Sequence, residues 1–389
     1  MDQAAESPAD VSGVPDSPGA GPQSHTERAR SASGEHGGAR SGRLAGGPAG
    51  RRRSPGRAAA QRAVRANAAP LLFAAAAFAI TLGLLLRFHV ADRIEVLPAV
   101  VSADLRLVDP AASYLDAATW ETVEDTEVVQ RTEVRGSVSP GNPDWSTWEV
   151  TVDTAGDAMI GHMDRRVVVH RSTGAAVNCC GEHVDGDRAV RQAGLVLYWP
   201  AGGARDAHPF YDADIRAAPL MEFTGTEQVA GLATRRYEQT VEPTQVPGSA
   251  RSVPARALGL DRSGTVTATR WVEVHRTYWI EPVSGRLVDA EEERRETLRA
   301  ETGTGERMLL DASLAMPDDR IGAFVADART ARLTFLAVRT WAPAGLGGVG
   351  VLLLAAGAAA ALRARRTAPP AGPGDRPEPG HSAAPETGR

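Results

Sequence analysis

The chain of 389 residues carries 40 glycines, 26 prolines and only 5% aromatic residues, which excludes one large packed core running its whole length. All 43 basic residues are arginine, so a P-loop lysine, a kinase-type lysine and a Schiff-base lysine are excluded with them. The formal net charge of −5 is unevenly spread: 10 arginines face 6 acids over residues 1–86, 28 face 39 over 87–341, and 5 face 3 thereafter.

Residues 1–65 are rich in Ala, Gly, Ser, Pro and Arg, with Leu44 as the only leucine. Such a segment cannot bury enough apolar surface to offset its ordering entropy, and a disordered tail is expected. From Ala66 to Leu86 the chain then runs 21 residues without a charge. At about 1.5 Å per residue, a helix of that length crosses a hydrocarbon layer of roughly 30 Å. A cleaved signal peptide has a short basic lead and a shorter apolar stretch, so the expectation is a signal anchor. Arg52-Arg53 reads as juxtamembrane charge.

Residues 87–341 hold all seven tryptophans and form the expected folded domain, with strand-like patterning. Glu127–Val134 and Trp148–Asp153 alternate or run β-branched, and a Gly/Pro cluster at 139–144 separates them. Arg165–His170, the turn Arg171-Ser172-Thr173-Gly174 and Ala175–Val177 make a hairpin. Leu220–Gln239 reads as strand, Gly turn, strand. Thr269–Glu281, the turn Pro282-Val283-Ser284-Gly285 and Arg286–Glu291 repeat the hairpin grammar, with Gly closing a turn that demands positive φ. The run Glu291-Glu292-Glu293-Arg294-Arg295-Glu296 reads as a solvated strand face with cross-strand partners.

Within that domain stand the only two cysteines, Cys179 and Cys180, adjacent in sequence. Exported thiols are generally oxidised, which favours a vicinal disulfide locking a turn. Free thiols, an intermolecular bridge, or a metal site with His183 and His170 are the other readings. Adjacent cysteines seldom both ligate one tetrahedral ion, so no metal is expected. No Gly-x-Ser-x-Gly elbow and no His-Glu-x-x-His helix occurs. No catalytic residue, no cofactor and no nucleic-acid partner are expected.

Asp318–Thr340 has helical spacing, with Ile321, Phe324, Val325 and Ala328 on one face and Asp318 as the expected N-cap. It leads as a stalk into a second charge-free run, Ala342–Leu362, again 21 residues long. Residues 363–389, with six prolines, form a second disordered tail by the same entropy argument. Arg51, Arg52, Arg53, Arg57, Arg62 and Arg65 precede the first run, and Arg363, Arg365 and Arg366 follow the second. The positive-inside rule therefore puts both termini in the cytoplasm and residues 87–341 outside. Ala75, Ala79 and Gly83, with Ala344 and Gly348, offer small faces for helix packing.

The string Thr173-Gly174-Ala175-Ala176-Val177-Asn178-Cys179-Cys180-Gly181-Glu182 comes before Phe210-Tyr211-Asp212, the turn at 224–231 and Tyr278-Trp279-Ile280-Glu281-Pro282. Together these residues resemble the actinobacterial PorA-type porin family over approximately residues 68–362. The resemblance implies a cell-envelope protein with channel activity. Two helices cannot enclose an aqueous pore in one copy, so a pore requires a homo-oligomer. A second resemblance is to the half-barrel domains that carry lipoproteins or glycolipids across bacterial envelopes, through the Gly-turn hairpin ending in Glu281-Pro282 and the charged strand Arg286–Arg299. It implies one antiparallel sheet curved around an acyl chain.

The fold class expected is therefore a membrane protein with two transmembrane helices and a β-rich (α+β) antiparallel external domain. Period-two alternation from Arg270 to Glu281 puts Val272, Val274, Arg276, Tyr278 and Ile280 on the more apolar face. Val272, Val274, Tyr278 and Ile280 are thus the candidate ligand contacts. The function read from the sequence is a non-enzymatic envelope protein that binds an envelope lipid or glycolipid or acts as a scaffold. An oligomeric channel is the alternative.

Overall fold

The computed structural model describes residues 68–367 apart from 95, 99, 140 and 204. The two expected disordered tails, 1–65 and nearly all of 363–389, lie outside the described residues. The first helix, α1 (Ala68–Ile94), contains the described part of the first charge-free run and continues beyond it through a wide π-type turn at Leu86–Val90.

A meander follows: β1 (Val101–Leu115), β2 (Thr122–Val138), β3 (Trp145–Ala155) and β4 (Met159–His170). Two short pieces, β5 (Ala176–Val177) and β6 (His183–Val184), pair with β4. The chain then crosses to the far side of the sheet. There β7 (His208–Pro209) pairs with β8 (Leu220–Val229), followed by β9 (Leu232–Gln245) and β10 (Arg251–Pro254). The long strands β11 (Thr265–Ile280), β12 (Leu287–Ala300) and β13 (Glu306–Ala315) bring it back. β13 pairs with β1, giving the order β5-β4-β3-β2-β1-β13-β12-β11-β9-β8-β7. The result is a half-barrel, an open antiparallel sheet with β10 added beside β11.

The long crossing between β6 and β8 lies over the inner face of this sheet. Leu195, Val196, Leu197, Trp199 and Phe210 from the crossing share one core with Val150 and Val167 of one half and Tyr237, Tyr278 and Ile280 of the other. Polar side chains tie it down. Gln192 Nε2 donates to Arg166 O at 2.7 Å, and Gln239 Nε2 donates to Phe210 O and Pro219 O, both at 2.9 Å. Cys179 and Cys180 are disulfide-bonded to each other in the loop between β5 and β6, just before the crossing, with Cys180 at φ +63°. Buried Glu182, just beyond, accepts from Arg191 Nη1 at 3.0 Å.

Turn chemistry fixes the hairpins. Gly174 and Gly285 take φ values of +72° and +70°, as their turns require. In the β11–β12 turn the buried Glu281 carboxylate accepts from Val283 N at 3.1 Å and from Ser284 N and Oγ at 2.7 Å.

Helix α2 (Asp318–Leu336) packs Val325 and Ala328 against Val288 and Leu232, with Ile321 beside them. Its N-cap is Pro317 rather than the expected Asp318: Arg320 N and Ile321 N donate to Pro317 O at 2.9 and 3.0 Å, and no side chain caps the helix. Asp318 and Asp319 stand in the first turn instead, where the helix dipole favours an acid. A second π-type turn, Ala337–Trp341, carries α2 directly into α3 (Ala342–Thr367).

α1 and α3 pack together through small residues, though not all of those expected. Ala76, Ala79 and Gly83 are buried on α1, whereas Ala75, Ala344 and Gly348 are exposed. A Cβ on Gly350 of α3 would stand 2.5 Å from Ile80 Cγ1, and one on Gly357 3.3 Å from Phe73 Cε1, so the missing side chains are what admit α1. The remaining surface of the pair is apolar, with Leu71, Phe78, Val351 and Leu352 exposed.

Candidate functional site

The inner face of β11 carries the residues singled out by alternation. Val272 and Val274 lie in a buried cluster with Val241 and Val246, and Ile215 from the crossing packs on it. Tyr278 meets Phe210 edge to face at 5.4 Å, and Trp199 stands 6.1 Å from the same ring. Ile280 belongs to the main core. The four side chains therefore face inward and meet the chain's own crossing segment. The space left beside Tyr278 is a cavity of about 100 Å3, against the roughly 300 Å3 at which small-molecule sites begin. Val274→Trp, which would drop into an open groove at no cost, is expected here to lower stability by about 1–3 kcal/mol in a denaturant titration.

Charged side chains stand among the apolar residues of the cavity wall. Glu292, Arg294 and Glu296, read from sequence as part of a solvated strand face, are only 3%, 8% and 6% exposed. That reading holds for Glu291, Glu293 and Arg295, which point outward on the alternate positions of β12. The inward set has partners on β11, because the antiparallel register places Arg276 opposite Glu292. Arg276 Nε donates to Glu292 Oε2 at 2.6 Å and Nη1 to Gln239 Oε1 at 2.9 Å. Its Nη2 stands 2.6 Å from Asp212 Oδ2, an ion pair outside hydrogen-bond alignment.

Arg294 Nε donates to Glu296 Oε1 at 2.7 Å and Nη1 to Glu292 Oε1 at 3.1 Å, while Nη2 reaches Asp214. Arg270 holds Glu296 at 2.9 Å and the same Asp214. Arg165 of β4 completes the wall, its guanidinium 5.3 Å from the Tyr211 ring centroid. Three arginines thus pair with four carboxylates, with Arg165 beside them, and two of the acids, Asp212 and Asp214, come from the crossing segment. Sequence reading missed this cluster. The available signal was the alternation of β12 set against the arginines of β11 in antiparallel register.

Electrostatics within the cluster favour fixed charges over proton transfer. Burial acts to raise Asp214 and Glu292, but the arginines beside each outweigh it and hold both below the ordinary carboxylate range. Burial likewise works against Arg276, yet Glu292 and Asp212 keep its guanidinium charged. Tyr278 is pushed up to about 12 by burial, and Arg165 down to about 10 by the same cause. Asp214, Glu292 and Arg276 are thus held charged and Tyr278 neutral at pH 7, so none of these four is poised as an acid or base. The cluster's chemical capability is to lock the crossing segment onto β11 and β12.

These features define a class, an antiparallel half-barrel, filled by its own crossing segment, carried on two long apolar helices that are candidate membrane spans. The chain belongs to the PorA porin family: the family described as Porin PorA matches residues 68–359. It is similar to a Porin PorA of Corynebacterium resistens, at 21% identity over 254 residues. That similarity covers 49% of this chain and 62% of the relative's length.

Proposed function

We propose that this chain is a non-enzymatic, two-pass protein of an actinobacterial plasma membrane, with both termini in the cytoplasm and the half-barrel held outside as a binding or scaffold module. One observation carries the reading. Helix α2, packed on the sheet, runs without interruption into α3, whose outer surface beside α1 is apolar and whose far end bears Arg363, Arg365 and Arg366. A cysteine at Ser249, in the external domain, should react with a membrane-impermeant thiol reagent in intact cells, and one at Ser41 should not. Labelling of both sites would overturn the topology.

Family membership favours a second reading, an oligomeric channel. The half-barrel is an open sheet with a filled inner face, and the charge-free runs of α1 and α3 carry only Thr81 as a polar side chain among the described residues. A conducting path therefore needs several copies. Conductance of the purified full chain in planar bilayers, at the oligomer size fixed by cross-linking, supports the channel. Silence at every size removes it.

A further inference from the structure

A larger cavity, about 390 Å3, lies where the half-barrel meets the helices. Its walls come from the outer end of α1, from α2, and from the turns at 171–174, 198–201 and 284–286. The floor is apolar, built from Leu97, Trp199 and Phe335. Its position follows from helix geometry. Phe335 stands six residues before Trp341 and Arg93 six residues after Arg87 on continuous helices, so at about 1.5 Å per residue the cavity sits ~9 Å beyond the apolar runs. The near edge of the cavity thus borders the headgroup layer, which is about 5–8 Å thick on each side of the hydrocarbon core, within a long side chain's reach of it.

The charges in this cavity are opposite to those of the domain around it. Residues 87–341 carry 28 arginines against 39 acids, yet among the described residues the cavity is lined by Arg93, Arg171 and Arg286 against the single acid Asp327. Arg286 is paired with Asp327. Arg171 spends its guanidinium on two backbone carbonyls, Leu97 O and Pro143 O, both at 2.8 Å, so its charge is held in place and not neutralised. Arg93 is exposed and makes no ion pair with a described residue. Trp199, in the floor, carries a buried indole N–H with no acceptor among the described residues. Two cations with no acidic partner among the described residues, over an apolar floor that borders the headgroup layer, complement an amphiphile with an anionic head.

We infer that the cavity between α1, α2 and the half-barrel binds one anionic phospholipid, its phosphate at Arg93 and Arg171 and its glycerol and upper chain on Leu97, Trp199 and Phe335. The inference rests on the membrane-anchored reading above for the cavity's depth. Binding itself is tested in a neutral detergent, where the orientation of the chain in a cell has no bearing.

The experiment uses the full chain, delipidated, and titrates phosphatidylglycerol and phosphatidylcholine separately with native mass spectrometry as the readout. The expected result is one phosphatidylglycerol bound per chain in preference to phosphatidylcholine. Ala331→Trp, which fills the cavity from α2, should abolish that bound lipid. Arg93→Glu, at an exposed position where folding is not at risk, should weaken it on the order of tenfold. Equal retention of the two lipids, or wild-type retention in Arg93→Glu, would overturn the inference. A competition arm with inorganic phosphate separates the sources: no displacement supports a lipid, and full displacement at millimolar phosphate shows a free-anion site and overturns the lipid assignment.

Discussion

Asp214→Ala is expected to lower the unfolding free energy of the chain by about 3–5 kcal/mol at pH 7, because it removes the acid shared by the buried guanidinium of Arg294 and the partly buried one of Arg270. Glu296 and Glu292 remain, but they already serve those arginines and Arg276. The comparison is Asp104→Ala, whose partner Arg131 is half exposed, and which should leave the denaturation midpoint nearly unmoved. The pH dependence carries a definite sign. Asp214 and Glu292 are held below their ordinary values in the fold, so their stabilisation is complete above the unfolded carboxylate pKa, about 4, and is lost as pH falls through and below it. Midpoints of wild type and Asp214→Ala should therefore converge as the pH approaches about 2. A gap of constant size from neutral to acid pH would show that the loss is one of packing and not of charge.

Gly285→Ala should be nearly as damaging, for a reason rooted in backbone geometry. Its φ of +70° costs an L-residue about 1–2 kcal/mol by itself. A Cβ there would also stand 2.0 Å from Trp199 O, a backbone atom of the crossing segment that cannot swing aside. Trp199 N meanwhile donates to Gly285 O at 2.9 Å, so relieving the clash breaks the bond that docks the segment. The expected cost is at least about 3 kcal/mol. Gly248→Ala separates the two causes, since Gly248 has φ +73° with nothing within 4 Å of the added carbon. Equal midpoints for the two variants would remove the close approach from the account.

Much of the secondary structure was legible because it depends on neighbours in sequence. The charge-free runs mark α1 and α3 through solvation alone, since nothing but lipid or protein can cover an all-round apolar helix. Gly174 and Gly285 mark hairpin turns because positive φ is costly for any other residue. Alternation identified the inward side of β11, where Val272, Val274, Arg276, Tyr278 and Ile280 are all buried. β1 escaped because Pro110 interrupts it. The sheet accommodates that proline with a bulge, where Asp109 accepts from Ala111 N at 2.9 Å and Ser313 N at 2.6 Å.

What covers the inner face was decided only by the tertiary structure. An apolar alternation satisfies a hollow groove and a filled core equally well, so the sequence could not distinguish a lipid from the chain's own Ile215, Phe210 and Trp199 on those valines and Tyr278. The charge cluster was hidden for the same reason. Asp214 and Arg294 are 80 residues apart, and Gln130 of β2, whose Nε2 donates to Glu292 Oε1 at 3.5 Å, is 162 residues from that partner. Local pattern shows that a charged strand alternates, but whether its inward acids meet arginines or water depends on which distant segment folds back over them. The cavity between the half-barrel and the helices joins α1, α2 and three turns that are far apart in sequence, and the excess of positive charge among its described residues exists only once an acidic domain has folded around it.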